Sequence, residues 1–280
     1  MIDPLVVEEL IDRALAEDIG FADLTSELVI PAGARAELAL NARQDIVVAG
    51  IDVAAQVFRR RVPECRVELR VKDGDRVNAG TAMGRVEGPA RGLLAVERTA
   101  LNFLQHLSGV ATLTAQYVER IAGTRAVLID TRKTTPGLRA LEKHAAQLGG
   151  ARNHRLRLDD GVLIKDNHIS VCGSIALAVK RARSGAPVLT KIEVECDTLE
   201  QVTQALEAGA DMILLDNMSL EDLRRAVALS GGRVPLEASG GVRLETLRAV
   251  AETGVDFISV GRITQSAPAV DIGLDAVVRV

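Results

Sequence analysis

From Gly123 onward the chain repeats one pattern, in which a short apolar run rich in β-branched residues and leucine precedes an Ala- and Leu-rich helical stretch. Six such runs occur, and each ends at a polar or glycine residue: AVLID at Asp130, GVLIK at Lys165, KIEVE at Glu195, MILLD at Asp216, PLEAS at Ser239 and FISVG at Gly261. Largely apolar strands of this kind are typical of parallel sheets covered by helices. The pattern therefore predicts βα units, and it gathers the polar residues at the carboxyl ends of the strands, where α/β folds carry their sites.

Roughly 145 residues carry these units, which is short for the usual eightfold α/β barrel. We therefore predict an incomplete (reduced) α/β barrel as the second domain, over residues 111–267. The units share a pattern but no repeated sequence, and no low-complexity segment or long linker stands out along the chain. The final residues, 268–280, are interpreted as a segment that can return to the first domain.

Residues 1–110 show a different pattern. Apolar residues at helical spacing after Pro4 predict a short amphipathic helix, followed from Gly20 by a loop: Val6, Leu10, Ala14 and Leu15. The alternating runs RAELALNA and CRVELRV predict an antiparallel sheet. A longer helix follows with one apolar stripe: Leu93, Val96, Ala100, Leu104 and Leu107. Together these features predict a smaller N-terminal α+β sandwich domain.

Composition and termini exclude several classes of partner. Aromatic residues make up only 2% of the chain and the formal net charge is -4, so neither base stacking nor a general positive field supports nucleic-acid binding. The chain has no signal-peptide pattern at MIDPLVVEEL and no apolar run approaching a membrane span. The cysteines are far apart and lack C-x-x-C spacing: Cys65, Cys172 and Cys196. We therefore expect a cytoplasmic protein that binds neither nucleic acid nor membranes.

A locally basic segment lies inside this acidic chain. Between residues 130 and 168, five acidic residues stand against eight basic ones: Arg132, Lys133, Arg139, Lys143, Arg152, Arg155, Arg157 and Lys165. Three of these directly end apolar strands and are predicted to focus a small polyanion at the site: Arg132, Lys133 and Lys165. Three others are interpreted as solvated charges on helix faces: Lys143, Arg152 and Arg157.

Two carboxylates, Glu195 and Asp216, end neighbouring predicted strands and are expected at the same mouth. Such acids suit ribose hydroxyls, a magnesium ion or a developing positive charge, whereas the alternative is pairing with a nearby lysine or arginine. Glu193 has the same parity as Glu195 along its strand and is a weaker candidate for the same face.

The last two strand ends contain glycine, in EASGG (Ser239, Gly240, Gly241) and SVGR (Gly261). In barrels, the loops after the final two strands often bind phosphate, because exposed backbone N–H groups and a helix N-terminus supply donors there. The two loops together favour a phosphate site over simple turns.

A set of motifs identifies a family resemblance. The segments DTRKTTPGLRALEKHA, GGARNHRLRLDDGVLIKDNH, EVE, LLDN, EASGGV and SVGRITQSAPAVDIGLD, in this order and spacing, resemble the quinolinate phosphoribosyltransferase family, and EDIGFADLT and ERTALNFLQHLSGVAT extend the resemblance to the N-terminal part. The resemblance implies Mg²⁺-dependent transfer of phosphoribose from phosphoribosyl pyrophosphate to quinolinate in NAD synthesis, with nicotinate mononucleotide, pyrophosphate and carbon dioxide as products. It also implies a homodimer with a site shared between subunits, with higher oligomers left open.

The resemblance assigns roles by motif. Arg98 of ERT would reach quinolinate from the partner subunit. The basic pocket would comprise five residues: Arg132, Lys133, His154, Arg155 and Lys165. Glu195 and Asp216 would serve the ribose and a magnesium ion held mainly by pyrophosphate, and the 5′-phosphate would lie against Ser239, Gly240, Gly241 and Gly261. Catalytic roles are implied for four of these residues: Lys133, Lys165, Glu195 and Asp216.

Four positions depart from the family pattern: Gln147, Ala151, Arg157 and Gln265. The first and last stand where arginine and histidine are usual, and the other two replace glycines. Three alternative functions follow from the same residues, namely a phosphoribosyltransferase that uses nicotinate, an aldolase with a Schiff base on Lys165, and a non-catalytic protein that binds phosphoribosyl compounds.

Overall fold

The computed structural model describes residues 3–277, and these form two compact units. Among the described residues, the first unit comprises 3–115, 135–149 and 266–277, and the second comprises 116–134 and 150–265. The helices are α1 (Pro4–Ile19), α2 (Leu24–Val29), α3 (Ile51–Arg61), α4 (Ala90–Arg120), α5 (Arg139–Leu148), α6 (Asp166–Cys172), α7 (Ile175–Gly185), α8 (Leu199–Glu207), α9 (Leu220–Ser230), α10 (Leu244–Ala251) and α11 (Arg262–Gln265). The strands are β1 (Arg35–Ala42), β2 (Ile46–Val47), β3 (Arg66–Leu69), β4 (Arg76–Val77), β5 (Ala82–Pro89), β6 (Val127–Ile129), β7 (Val162–Ile164), β8 (Ile192–Cys196), β9 (Met212–Asp216), β10 (Leu236–Ser239), β11 (Phe257–Ser259) and β12 (Ile272–Ala276).

The first unit contains a four-stranded antiparallel sheet in the order β12-β1-β5-β3. The predicted stripe on α4 is buried throughout, with Leu93 and Leu104 fully inaccessible to solvent. The 268–280 segment supplies β12, which pairs with β1, while residues 278–280 lie outside the described residues. This sheet and its helices form the smaller α+β part of the predicted fold.

Two details near the N-terminus differ from the sequence prediction. The buried face of α1 is Val7, Ile11 and Leu15, whereas Val6 is exposed; the predicted stripe is thus rotated by about one position around the helix. The predicted loop after Gly20 contains the short helix α2, because the Asp23 side chain accepts a hydrogen bond from the Ser26 N–H and caps a new helical turn.

The second unit confirms all six predicted βα strands. They form one parallel sheet in the order β6-β11-β10-β9-β8-β7. From β7 to β11 each strand pairs with the next along the chain, and the last strand pairs with the first, as in a barrel. β6 and β7 are the two edges of this ladder, which confirms an incomplete α/β barrel.

The helices of the barrel begin at residues suited to cap them. Ser174, Thr198 and Ser219 each accept a hydrogen bond from a backbone N–H of the first turn, at the start of α7, α8 and α9. Since each of these helices follows a strand or its connecting loop, the caps fix where the chain turns back from the carboxyl ends of the strands.

One segment departs from the predicted domain division. Residues 135–149, which carry α5, group with the first unit rather than with the barrel. The physical reason is burial, because Leu141 and Ala145 are inaccessible and the Glu142 carboxylate lies 2.8 Å from Nε2 of His106 on α4. The interpretation of Lys143 as a solvated charge is wrong for the same reason, since this residue is 1% exposed. Arg152 and Arg157 are exposed as expected. Their placement on helix faces is wrong, because both lie in the non-helical segment between α5 and β7, where Arg152 pairs with Ile129 through a β-bridge.

Within residues 3–277, none of the helices combines the length and the apolar character needed to cross a bilayer.

Candidate active site

The carboxyl ends of all six barrel strands surround one cavity of about 310 Å³, contained in the second unit. Its lining is mostly charged or hydroxylated: Asp130, Thr131, Arg132, Lys133, His154, Arg155, Leu163, Lys165, Glu195, Leu214, Asp216, Glu237, Ser239 and Ser259. This is the edge of the sheet at which the sequence placed the site.

Two arginines give part of this cavity a concentrated positive charge. Arg132 has its Nε buried and without a hydrogen-bond partner among the described residues. Burial lowers the pKa of Arg155, and the positive charge of Arg132 lowers it further. Arg155 donates from Nη1 to the carbonyl of Gly161 at 2.9 Å. Two guanidinium groups that repel each other and retain unused donors are suited to bind carboxylates, which accept their forked N–H groups in pairs.

Lys165 and Glu195 form an ion pair at the cavity wall. Lys165 Nζ lies 2.5 Å from Glu195 Oε2, and the two side chains are 45% and 13% exposed. The alternative interpretation of Glu195, pairing with a lysine, is therefore observed together with its position in the cavity. The next residue, Cys196, lies on the other face of the strand, and burial raises the pKa of its thiol to about 12, so it is unsuited to act as a nucleophile.

The turns after β9 and β10 approach each other closely at the predicted phosphate region. Gly240 follows β10 with φ of 91°, and a Cβ at this position would lie 2.2 Å from Oδ1 of Asn217. Asn217 itself has φ of 53° and donates from its amide to Asp216 at 2.6 Å. Only glycine permits this close approach of the β9 and β10 turns.

Gly261 serves a similar role after β11. A Cβ there would lie 2.7 Å from Cδ of Lys133, so the missing side chain makes room for the aliphatic part of that lysine. Thr264 Oγ1 also donates to the Lys133 carbonyl at 2.7 Å. The loop after β11 therefore positions a cationic side chain that lines the cavity.

A buried polar cluster closes the cavity from below. His154 Nε2 lies 2.8 Å from a Glu193 oxygen and 3.4 Å from a Glu237 oxygen. Both glutamates are at most 5% exposed. Burial raises the pKa of Glu237 well above its usual value, and the neighbouring Glu193 raises it further. The backbone N–H of His154 is held by the buried Asp130 at 2.9 Å.

Two family models account for most of the chain. The model described as quinolinate phosphoribosyl transferase, C-terminal domain, matches residues 110–275, and the one for the N-terminal domain matches residues 23–108. The chain belongs to the quinolinate phosphoribosyltransferase family. The predicted resemblance is thereby confirmed.

Individual members of this family are similar over nearly their whole length. The nicotinate-nucleotide pyrophosphorylase (carboxylating) of Mycobacterium leprae is 44% identical over 95% of this chain and 96% of its own. The protein of Bacillus subtilis named probable nicotinate-nucleotide pyrophosphorylase (carboxylating) is 41% identical over 97% of this chain and 93% of its own. The solved structure of the nicotinate-nucleotide pyrophosphorylase from Francisella tularensis has a TM-score of 0.95 at 38% identity, covering 99% of this chain and 98% of that one.

The structure brings together eight of the residues predicted from the quinolinate phosphoribosyltransferase motifs. They line the one cavity: Arg132, Lys133, His154, Arg155, Lys165, Glu195, Asp216 and Ser239. Gly240, Gly241 and Gly261 lie in the turns that follow β10 and β11. Arg98 is exposed on α4 and belongs to the first unit.

Several lining residues were not predicted, and two of them carry polar side chains on the barrel strands themselves. Glu237 and Ser259 face the cavity from β10 and β11. A signal was present for Glu237, because it has the same strand parity as Ser239, just as Glu193 has that of Glu195. Because glutamate is rarely buried, the sequence pattern predicts site residues at the strand ends and not one layer deeper.

Proposed function

We propose that this chain transfers phosphoribose from phosphoribosyl pyrophosphate to quinolinate and releases carbon dioxide, giving nicotinate mononucleotide and pyrophosphate. The observation that carries the proposal is the pair Arg132 and Arg155, which lie at one wall of the cavity with an unpartnered, buried donor. Quinolinate carries two adjacent carboxylates on one ring, which match two guanidinium groups. The family relatives named as carboxylating pyrophosphorylases support the same reaction.

The second substrate requires a separate anion region. The turns at Gly240 and Gly261 offer backbone donors for the 5′-phosphate. Lys133 packs against Gly261 and adds positive charge beside them, while Lys165 adds a further positive charge to the same cavity. Glu195 and Asp216 are suited to the hydroxyls of the ribose, which lie between its phosphate and pyrophosphate ends. The cavity therefore offers a separate anion-binding region to each of the two substrates.

The residues present fit a magnesium ion held mainly by substrate. Glu195 and Asp216 both line the cavity and offer carboxylate oxygens, and Mg²⁺ is commonly held by one or two carboxylates together with substrate phosphates. When bound, Mg²⁺ would neutralise charge on the departing pyrophosphate. The two carboxylates would hold it, and no dedicated protein cage is needed.

The charges that develop during the proposed reaction explain the roles of these residues. As the bond from C1′ to pyrophosphate breaks, positive charge develops on the ribosyl ring, and the carboxylates of Glu195 and Asp216 stabilise it electrostatically. The pyridine nitrogen of quinolinate then forms the new bond to C1′ and becomes cationic. That charge stabilises the carbanion left when the adjacent carboxylate departs as carbon dioxide, and a proton takes its place. No protein nucleophile is required.

The remaining expectations belong to this proposal. We place Arg98 of a partner subunit at the quinolinate end of the cavity, in a homodimer, since Arg98 is an exposed cation on α4. The three cysteines are free, which suits a reducing cytoplasm.

Product analysis tests the proposed function. The protein is incubated with Mg²⁺, phosphoribosyl pyrophosphate and either quinolinate or nicotinate, and nucleotides are identified by mass spectrometry. We expect nicotinate mononucleotide from quinolinate only. Product from nicotinate alone would instead support the nicotinate-using alternative, a borohydride-trapped adduct on Lys165 would support the aldolase, and binding without turnover would support the non-catalytic protein.

A further inference from the structure

His154, Glu193 and Glu237 form a cluster at the base of the cavity that we call the floor cluster. The family motifs assign His154 to the basic pocket, whereas the proposed reaction gives no role to the two glutamates. The floor cluster separates two spaces within the barrel. His154 and Glu237 line the cavity at the carboxyl ends of the strands, while His154 and Glu193 line a second cavity of about 360 Å³ on the other side. The cluster therefore lies between the two cavities, both of which His154 lines.

The hydrogen bonds of His154 determine which ring nitrogen carries the hydrogen. Nδ1 accepts the backbone N–H of Arg155 at 2.8 Å, so it bears no hydrogen in this arrangement. Nε2 then carries it and donates to Glu193 at 2.8 Å, with Glu237 next to it at 3.4 Å. The ring is thus fixed from both sides, by a backbone group above and by a carboxyl pair below.

The same bonds decide between two interpretations of the cluster. One nitrogen and two carboxylates lie within 4.8 Å of one another. Glu193 Oε1 and Glu237 Oε2 are buried and have no hydrogen-bond partner within residues 3–277, as ligands of a metal ion would be. A metal ion, however, needs the lone pair of Nε2, and that nitrogen holds the hydrogen while Nδ1 accepts from Arg155. The geometry favours a hydrogen-bonded clamp over a metal site.

We propose that Glu193, with Glu237 as the weaker partner, is a positioning residue that acts on quinolinate through His154 and Arg155. Glu193 holds the ring, the ring holds the backbone of Arg155, and the Arg155 guanidinium, anchored also by the Gly161 carbonyl, is presented to the substrate. The inference rests on the proposed function for the identity of the substrate. It makes quinolinate binding depend on a residue one layer below the cavity.

Matched isosteric variants test the role of the carboxylates. Glu193→Gln keeps the shape of the side chain and removes the charged acceptor, and we expect the calorimetric Kd for quinolinate to rise about tenfold or more, the usual effect of losing a bond to a charged group. Glu237→Gln, at the longer distance, should raise it about two- to threefold. The KM for phosphoribosyl pyrophosphate should change little in Glu193→Gln, because Glu193 bonds His154. The prediction is confined to this variant, since Glu237 contacts Ser259, which bonds Ser239 of the predicted phosphate site. Equal affinities for quinolinate in Glu193→Gln and the parent protein would overturn the proposal.

Two substitutions of His154 test whether the contact of Nε2 with Glu193 is needed to position Arg155. A glutamine amide reaches the position of Nε2, whereas an asparagine amide reaches only that of Nδ1. We therefore expect His154→Gln to retain more quinolinate affinity than His154→Asn. The reverse order would contradict the clamp, because it would mean that the contact with Arg155 suffices without Glu193.

A measurement on the parent protein distinguishes failure of this inference from failure of the proposed function. In ¹⁵N-histidine NMR spectra without substrate, we expect His154, assigned by its loss in His154→Gln, to show hydrogen on Nε2 only. The opposite tautomer, or one equivalent of Zn²⁺ bound in the parent protein and lost in Glu193→Gln, would overturn the clamp while leaving the reaction intact. The expected tautomer in a protein that does not convert quinolinate would remove the proposed function alone. If Glu193→Gln does not fold, as judged by its thermal transition, the spectra of the parent protein still test the tautomer that the clamp requires.

Discussion

The Nε of Arg132 is a buried donor that finds no acceptor in the part of the chain that the structure describes. Leaving such a group unsatisfied costs free energy that a packed protein normally avoids. In the absence of substrate that cost is part of the folded state, and a bound carboxylate removes it. The binding energy for the anion is thus prepared by the fold before the ligand arrives.

We predict that Arg132→Ala raises the calorimetric Kd for quinolinate by about 10- to 100-fold, corresponding to about 1.5–3 kcal/mol for a lost bond to a charged group. Arg132→Lys should fall between the two, because lysine keeps the charge without the planar fork. Arg224→Ala is the matched control, since Arg224 is exposed on α9 of the same unit. Unchanged affinity in Arg132→Ala would show that the pocket is assigned to the wrong residues.

Gly240 and Gly241 offer a paired test of the turn beside Asp216. Both have positive φ, but only Gly240 lacks space for a Cβ. Gly241→Ala should cost about 1–2 kcal/mol for the left-handed backbone alone, and Gly240→Ala should cost about 1–3 kcal/mol more from the clash with Asn217. Chemical denaturation measures both free energies of unfolding; equal losses would contradict the close approach.

For individual site residues, burial determines which ones could be predicted from the sequence. The residues at the ends of strands, such as Lys165 and Asp216, were predicted because the period of the strand and its last residue are visible in the sequence. Glu237 was not, because a carboxylate becomes tolerable in the interior only through partners that are distant in the sequence, such as His154. Lys143 was misinterpreted for a related reason, since its burial depends on where α5 packs.

At the scale of elements, alternation within single strands builds the site. In β8, Ile192, Val194 and Cys196 are fully buried on one face, while Glu193 and Glu195 lie on the other. The same rule places Glu237 and Ser239 of β10 together on one face. A one-residue slip of either strand would exchange the two faces, so the apolar face that packs the strand also fixes the polar one.

The long helix α4 provides the element-scale test in the first unit. Leu104 is fully buried in its predicted stripe and Asn102 is exposed two residues earlier. We predict that Leu104→Ala lowers the free energy of unfolding by about 2–5 kcal/mol, and that Asn102→Ala changes it by less than about 0.5 kcal/mol. Thermal and denaturant unfolding check this, and similar effects at the two positions would mean that the stripe does not carry the packing.

The sequence predicted elements best where their pattern is local. The six barrel strands and α4 follow from periodicity alone. The grouping of residues 135–149 with the first unit does not, because it depends on contacts such as the one between Glu142 and His106, which are 36 positions apart. The exact face of α1 was also missed, since Val6 and Val7 are equally apolar and only packing separates them.

At the scale of the whole molecule, net charge is a poor guide to the partner. The chain carries a formal charge of -4, yet the cavity in the barrel is lined by four cations that meet at the same strand ends: Arg132, Lys133, Arg155 and Lys165. The fold concentrates them where low-dielectric walls strengthen their field. The local concentration of positive charge is therefore a property of the assembled barrel.

The proposed dimer makes a prediction at this scale. Arg98→Ala and Asp216→Ala should each alone inactivate both sites of the dimer. Arg98→Ala removes the residue that each subunit contributes to its partner's site, and Asp216→Ala removes a residue of each subunit's own site. In a mixed population with random pairing, half of the dimers are hybrids, and each hybrid regains one intact site, so activity should recover to about a quarter of the parent value. Mixing after refolding or co-expression tests this, and no gain over the separate variants would contradict a shared site.

The central claim is that one cavity both transfers phosphoribose and releases the carboxylate next to the pyridine nitrogen. The most direct measurement supplies quinolinate with ¹⁴C in that carboxylate, together with phosphoribosyl pyrophosphate and Mg²⁺, and counts labelled carbon dioxide against pyrophosphate. We predict equal amounts of the two products, with none when phosphoribosyl pyrophosphate is omitted. Pyrophosphate release without labelled carbon dioxide, or retention of the label in the nucleotide, would contradict the account.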